Sequence, residues 1–158
     1  MFSDDPIVIT GMGAVSPLGV GVDVNWARLI AAKSGIVANT RFDTEAYGCK
    51  VAGLVPAKTD DPDGFDPLDF IEAKELKKMD LFIQYSLGAT DEALRQAGWA
   101  PEDEAARSRT GVVIATGVGG FPAITDAVKT VEARGPRRLS PFTVPSFLPN
   151  LAAGHVAI

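Results

Sequence analysis

The fold of this chain is indicated first by IVITGMGAVSPLG, the stretch Ile7–Gly19. Its opening residues, Ile7–Thr10, form a β-branched run that leads into glycine. A second run of this kind, GVVIAT at Gly111–Thr116, also leads into glycine. Neither run alternates apolar with polar residues, which is typical of strands covered on both faces in a parallel sheet. The two runs therefore predict buried strands of an α/β fold.

Helical periodicity occurs between and after these runs. The first predicted helix is capped by Asp23, carries Trp26, Leu29 and Ile30 on one face, and ends near Gly35. The apolar spacing of those three side chains indicates a face turned towards the protein interior.

A longer helix is predicted over residues 74–97, closed by Gly98, and a last helix runs through Leu151–Val156. A peripheral strand is predicted at residues 50–55. Two central strands and one peripheral strand are too few for a complete parallel sheet, so the sequence predicts part of a larger fold. Polar, proline-containing connections are predicted at residues 60–69, 101–109 and 135–149.

The composition of the chain excludes some classes of function. Its 158 residues are 46% hydrophobic and 22% charged, with a net charge of −5, which opposes binding to nucleic acid. No apolar run approaches the ~20 residues that span a bilayer, and the acidic start Met1–Asp5 is unlike a signal peptide. A cytoplasmic protein with no membrane or nucleic-acid partner is predicted.

The single cysteine and the single histidine are poor candidates for chemistry. One Cys49 and one His155 exclude an intrachain disulfide and a Cys/His zinc site within one chain. Cys49 has no helix start behind it to lower the thiol pKa, so an ordinary thiol is favoured over a nucleophile. His155 lies in an Ala/Gly-rich helix, which favours a buried, hydrogen-bonded structural histidine over a general base.

The glycines after the first strand allow a nucleotide-binding alternative. GMGAVS, at Gly11–Ser16, resembles a dinucleotide fingerprint, but Ser16 replaces its third glycine and Pro17 follows. Proline disfavours a helical backbone at the residue before it, so a helix cannot begin where a pyrophosphate needs it. A tight structural turn is the favoured interpretation.

Five phrases, in one order along the chain, resemble the N-terminal part of a β-ketoacyl-acyl carrier protein synthase, most closely the type II condensing enzyme of bacterial fatty-acid synthesis. This resemblance implies a thiolase-like, layered α-β-α-β-α fold that is normally dimeric. It also implies that residues 1–158 are the incomplete N-terminal half, truncated before the nucleophile strand. The phrases are Ile7–Gly19, Lys77–Asp80, Thr116–Gly120, Gly135–Phe142 and Ala153–His155.

The resemblance also implies the chemistry of the parent enzyme. That enzyme elongates fatty acids by decarboxylative Claisen condensation of an acyl thioester with malonyl-acyl carrier protein, without metal or organic cofactor. Its nucleophilic cysteine and two catalytic histidines are expected beyond Ile158. No catalytic residue is therefore expected within this chain, which is predicted to be inactive by itself.

Two sets of site residues follow from the resemblance. Lys74, Lys77 and Lys78 match a docking patch for acyl carrier protein, although composition alone would favour a solvated helix start. Cations at a helix N-terminus oppose the macrodipole, so the stability of the helix does not explain their presence. Val118, Phe142 and Thr143 match residues of the acyl pocket and dimer interface. Thr143 stands where related enzymes often have a second aromatic residue, which affects pocket depth.

Alternatives from other classes stay open at this point. A non-catalytic ketosynthase-like partner, such as a polyketide chain-length factor, would keep the same N-terminal phrases without the nucleophile. A small acidic binding module would use the lysine face to bind a partner without chemistry. The residues that follow Ile158 and charge reversal at Lys77 and Lys78 discriminate among these functions.

Overall fold

A computed structural model describes residues 6–158. Its helices and strands are short apart from two long helices in the middle of the chain. In chain order they are β1 (Val15–Ser16), β2 (Gly19–Val20), α1 (Val22–Ile30), β3 (Ile36–Ala38), β4 (Val51–Gly53), α2 (Ala73–Leu76), α3 (Leu81–Ala97), α4 (Glu104–Ser108), α5 (Phe121–Arg134), α6 (Thr143–Phe147) and α7 (Asn150–Ala157), with 3-10 turns at Pro67–Asp69 and Pro136–Arg138.

The strands form two separate antiparallel pairs. In the β1–β2 pair, Val15 lies opposite Val20, and in the β3–β4 pair Val37 lies opposite Ala52. Strand β4 confirms the peripheral strand predicted within residues 50–55. Both pairs lie at the edge of the molecule, and most of their residues are exposed or half-buried.

The two central strands predicted from the sequence are wrong for the described part of the chain. Residues 7–10 and 111–116 are unpaired, and Ile7, Ile9 and Val113 are exposed to 103%, 83% and 94%. A strand needs a neighbouring backbone to complete its hydrogen bonds, and residues 6–158 place none beside either run. Ile114 packs against the core on one side of the second run, whereas the other side of that run is exposed.

Helix α1 also has an apolar face that is exposed. It begins after Gly21, whose φ of 101° only glycine adopts readily, so Asp23 lies in the first turn and does not cap the helix. Trp26, Leu29 and Ile30 are 62%, 58% and 67% exposed. The face predicted to turn inward therefore has no partner among the described residues.

The buried core lies between α3 and α7. Ile83 and Ala152 are completely buried, and Ile71 and Met79 complete the cluster. Helix α7 confirms the predicted last helix, and Gly98 closes α3 in the left-handed conformation, with φ 62° and ψ 28°, as predicted.

The exposed area is large for this mass. The chain exposes 11358 Å², whereas a folded monomer of 16.6 kDa exposes about 7,600 Å². Much of the excess is apolar, as the exposed side chains of residues 7–9 and α1 show. No helix within residues 6–158 has both the length and the apolar character needed to cross a membrane.

The glycine-rich turn lies directly against α3. A methyl group added to Gly11 or Gly13 would overlap the backbone carbonyls of Ala93 and Ala89, respectively. Only glycine permits the two backbones to approach so closely. The two glycines thus serve close packing against a helix, which favours the structural turn over the dinucleotide-binding interpretation.

Side chains of α3 hold this turn by its backbone. The Gln96 Oε1 accepts a hydrogen bond from Met12 N at 2.5 Å, and the two carboxylate oxygens of Glu92 accept from Ala14 N and Val22 N at 2.9 and 2.8 Å. The Glu92 carboxylate also lies at the N-terminus of α1, where the helix dipole favours negative charge.

An ion pair joins α1 to the acidic loop that follows β4. The Arg28 guanidinium donates to both oxygens of Asp61 at 2.7 and 2.8 Å, to Asp63 at 2.7 Å and to the Leu18 carbonyl at 2.7 Å. The hydrogen bonds from Arg28, together with one from the Asp63 backbone, lower the pKa of Asp61 to about 2.

Replacing Gly13 with alanine is expected to destabilise the protein by about 1–3 kcal/mol, because the added methyl forces the turn away from α3. Urea unfolding of Gly13→Ala measures this loss. Gly48→Ala is the matched control, since nothing lies within 4 Å of a methyl group there. Equal stability of the two variants would contradict the close packing described above.

Asp61→Asn is expected to destabilise the protein near pH 6, with a smaller effect as the pH falls to 2, where the Asp61 carboxyl is partly protonated. The native pKa lies below the usual 3.8, so the pair stabilises the fold above about pH 4, and this contribution is lost as the pH falls towards 2. Urea unfolding across this range tests the prediction. Asp91→Asn, in an exposed pair with Arg95, is the matched control and should change the stability little.

Candidate functional site

The helix predicted over residues 74–97 is interrupted before its second turn. Helix α2 ends at Leu76, and α3 begins only at Leu81. Asp80 has an extended backbone, with φ −71° and ψ 164°, because its carboxylate caps α3. Lys77 and Lys78 therefore lie in the connection between two helices, and the three lysines do not share the start of one helix.

Asp80 joins three segments of the chain at this break. Its Oδ1 accepts a hydrogen bond from Leu81 N at 2.6 Å, and its Oδ2 accepts from Ala123 N, in the first turn of α5, at 3.0 Å. Its own backbone N–H donates to the Ser146 carbonyl of α6 at 3.2 Å. The side chain and the backbone N–H of Asp80 thus fix the candidate docking residues relative to α5 and α6, respectively.

Two of the three lysines form ion pairs with neighbouring glutamates. Lys74 Nζ lies 2.6 Å from Glu72, and both side chains are 71% exposed. Lys78 Nζ donates to both carboxylate oxygens of Glu75 at 2.8 and 2.7 Å, and these side chains are about one-third exposed. The positive charge of the surface is therefore partly neutralised within the chain.

Phe142 connects this surface with the predicted acyl-pocket residues. The ammonium groups of Lys77 and Lys78 lie 5.5 and 5.6 Å from the centre of the Phe142 ring, within the range of a cation–π interaction. The sequence prediction treated the lysines and Phe142 as separate sites. The structure brings them together.

A cavity of about 250 Å³ lies beside this contact. Lys77, Phe142 and Thr143 line it, together with Asp126 of α5 and Arg138 of the preceding 3-10 turn. The sequence reasoning assigned no role to Asp126 or Arg138. The pair of arginines in Gly135–Phe142 was the available signal, but only tertiary packing places one of them near Lys77.

Val118 lies apart from this cavity. Its side chain is 60% exposed in the turn before α5 and does not line the cavity formed by Phe142 and Thr143. The turn is fixed by Gly120 N, which donates to the Phe147 carbonyl at 3.1 Å. Within one chain, the three predicted acyl-pocket residues are therefore divided between two places.

The remaining candidates do not form a catalytic group. Cys49 is exposed, and its thiol makes one hydrogen bond, to the Val51 carbonyl at 3.4 Å. His155 of α7 is half-buried, and its ring makes no hydrogen bond to another residue within 6–158, which differs from the buried, bonded histidine expected. Within those residues, no cluster of His, Cys, Asp and Glu is arranged to hold a metal ion.

Charge around Glu75 favours its ionised form. Hydrogen bonding from Lys78 is the main cause that lowers the pKa of the Glu75 carboxyl, and the positive charges of Lys78 and Lys74 act in the same direction. Glu75 is thus a carboxylate in the neutral range and remains paired with Lys78.

Solved structures with a similar chain path are ketosynthases. The ishigamide ketosynthase/chain length factor aligns with a TM-score of 0.72 and 28% identity, over 92% of this chain and 34% of that chain. A second similar structure is a type II polyketide synthase acyl carrier protein in complex with its ketosynthase bound to the hexaketide. It aligns with a TM-score of 0.68 over 95% of this chain and 38% of that chain, and at 21% identity it shows the fold alone. The fold is thus the α/β, thiolase-like fold of condensing enzymes.

Sequence comparison gives the family. The family model of the β-ketoacyl synthase N-terminal domain matches residues 4–158. The 3-oxoacyl-[acyl-carrier-protein] synthase 2 of Rhizobium meliloti (strain 1021) is 45% identical over 152 residues, which are 96% of this chain and 36% of that protein. The chain belongs to the β-ketoacyl synthase family and corresponds to its N-terminal domain. It spans about a third of the length of the curated relatives that it matches.

Asp80→Asn is expected to destabilise the protein by about 1–3 kcal/mol. The amide keeps one oxygen for capping α3 but presents an N–H₂ group to Ala123 N, so one half-buried acceptor is lost. Urea unfolding measures the effect.

Asp103→Asn is the matched control for this variant. Asp103 caps α4 through a single hydrogen bond, from Ala106 N, and asparagine caps a helix about as well as aspartate. A loss at Asp80 no larger than the loss at Asp103 would show that the bond to α5 does not contribute.

Proposed function

We propose that this chain forms the N-terminal part of a fatty-acid condensing enzyme. The observation that carries the proposal is the 45% identity, over 96% of the chain, to a 3-oxoacyl-[acyl-carrier-protein] synthase 2. Several further relatives of that name are 39–41% identical. The reaction is the elongation of an acyl thioester with malonyl-acyl carrier protein.

In the proposed reaction, a cysteine thiolate first accepts the acyl group from its carrier protein and releases the carrier thiol. Malonyl-carrier protein then loses carbon dioxide, and the resulting carbanion attacks the acyl-enzyme thioester. A carbon–carbon bond forms, the thiolate leaves, and β-ketoacyl-carrier protein is the product. A helix N-terminus favours the thiolate, and histidines with backbone amides stabilise the developing oxyanion.

The groups that carry out this reaction belong to the part of the enzyme that follows residues 1–158. We assign to these residues an N-terminal half-domain that precedes the nucleophile strand. The exposed Cys49 and the half-buried His155, whose ring makes no hydrogen bond within residues 6–158, support this division, since neither has the surroundings of a nucleophile or an oxyanion donor. The excess apolar surface supports it too, because the remaining strands of the sheet would cover it.

The lysine surface is proposed to bind the acyl carrier protein. Lys74, Lys77 and Lys78 gather cations on one side of a chain whose net charge is −5. Arg138 extends the positive surface along the cavity. Rim charges of this kind raise the rate of encounter with an acidic partner and orient it.

The acyl pocket is proposed to lie at a homodimer interface in the cytoplasm. Val118 and the neighbouring Phe121 are both 60% exposed, and Val144 beside Thr143 is 55% exposed. Apolar side chains in such positions are suited to contact with a second subunit. Thr143, smaller than an aromatic residue, would leave more room for the acyl chain.

Reversing the charge of Lys77 and Lys78 to glutamate is expected to weaken acyl carrier protein binding by more than about tenfold, because like charges then face the acidic partner. Calorimetric titration of the purified protein with acyl carrier protein measures the change. The exposed pair Lys33 and Lys50, reversed in the same way, is the control for altered net charge. Equal losses in the two double variants would contradict a specific docking surface.

A non-catalytic chain-length factor is the second candidate, favoured by the likeness to the ishigamide ketosynthase/chain length factor. Condensation assays with acyl- and malonyl-carrier protein separate the two. The synthase proposal expects β-ketoacyl product from the complete protein and none from residues 1–158 alone. Carrier-protein binding without product from the complete protein would favour the chain-length factor.

A further inference from the structure

The three lysines of the candidate docking surface are not equivalent. Lys74 pairs with Glu72 in a fully hydrated position, with both side chains 71% exposed. Glu72 has an extended backbone and lies just before helix α2. Exposed ion pairs contribute little to stability. A carboxylate of an acidic partner can therefore replace Glu72 beside Lys74 at a small cost in free energy.

Lys78 is held more firmly. Its ammonium contacts both oxygens of Glu75, and the two side chains are only 32% and 30% exposed. Partial burial reduces screening by solvent, and a carboxylate that uses both oxygens restricts the ammonium geometrically. The charge of Lys78 is thus largely satisfied inside the chain.

Lys77 has a different environment. Within residues 6–158, no carboxylate lies within 4.0 Å of its ammonium group. Like the ammonium of Lys78, it lies near the Phe142 ring, 5.5 Å from the ring centre. A cation–π contact orients an ammonium group without neutralising its charge. Lys77 also lines the cavity and is exposed, so its charge is available to a partner.

We propose that Glu75 is a specificity-determining residue of the docking surface, because it withholds Lys78 in an internal ion pair. The proposal rests on the function proposed above, with the acidic surface of the carrier protein as the partner. The partner contacts Lys77 first and reaches Lys78 only by displacing the Glu75 carboxylate. A partner whose acidic groups cannot replace both hydrogen bonds between Lys78 and Glu75 gains no affinity from Lys78. The Glu75 carboxylate therefore selects against partners with weakly acidic surfaces.

The first test removes the competing charge. Glu75→Gln is expected to raise the affinity for purified acyl carrier protein about two- to fivefold, the size of a partly exposed ion pair. The gain should shrink when the salt concentration rises from 50 to about 300 mM. Glu72→Gln makes the same change in net charge beside Lys74 and should leave the affinity within about 1.5-fold.

Single alanine variants give a second, independent test. Lys77→Ala should weaken the binding of acyl carrier protein severalfold. Lys78→Ala should leave the affinity almost unchanged in the unaltered protein but lower it severalfold in the Glu75→Gln background. Circular dichroism of each variant shows whether the fold is kept. The proposal is overturned if Glu75→Gln does not raise affinity, if Glu72→Gln raises it equally, or if Lys78→Ala costs the same in both backgrounds.

These outcomes are distinct from a failure of the proposed function. If the unaltered protein binds acyl carrier protein and Glu75 has no effect, the inference about Glu75 falls and the docking function stands. If the unaltered protein and the Glu75→Gln variant both fail to bind, the docking function falls, and the inference falls with it.

Discussion

The candidate site depends on the carboxylate of Asp80. Two helices, α3 and α5, begin at this side chain, and each would otherwise leave backbone N–H groups without partners. Its backbone N–H adds α6 to the same point. Since the lysines precede Asp80 directly and Phe142 precedes α6, their mutual positions follow from this junction. The break between α2 and α3 is a consequence, because a capping residue cannot also continue a helix.

How much the sequence could predict depended on whether the deciding contacts were local. The cap at Gly98, helix α7 and strand β4 each follow from signals within a few residues, and all were predicted. The runs at residues 7–10 and 111–116 were read as strands from their apolar pattern, but strands need partners, and the described residues supply none. The exposed face of α1 has the same cause. In these segments the apolar pattern predicted burial, whereas Ile7, Ile9 and Val113 are exposed in the described part of the chain.

The candidate site was predictable in part for a similar reason. The spacing of the three lysines was visible in the sequence, as were the glutamates that pair with two of them. The contact of Lys77 with Phe142, 65 positions further along the chain, and the position of Arg138 beside the same cavity come from tertiary packing alone. No periodicity extends over such a distance. The role of Asp80 was missed because one oxygen serves a local cap and the other a helix far away in sequence.

Phe142 gives the docking surface and the acyl-pocket loop a shared component. Its ring contacts two of the docking lysines, and its backbone N–H is held by the Ser140 hydroxyl at 3.1 Å, in the loop that continues to Thr143. Helix α6 follows at once and is tied to Asp80 through the Ser146 carbonyl. The surface proposed to bind the carrier protein and the residues proposed to line the acyl pocket thus share the side chain of Phe142.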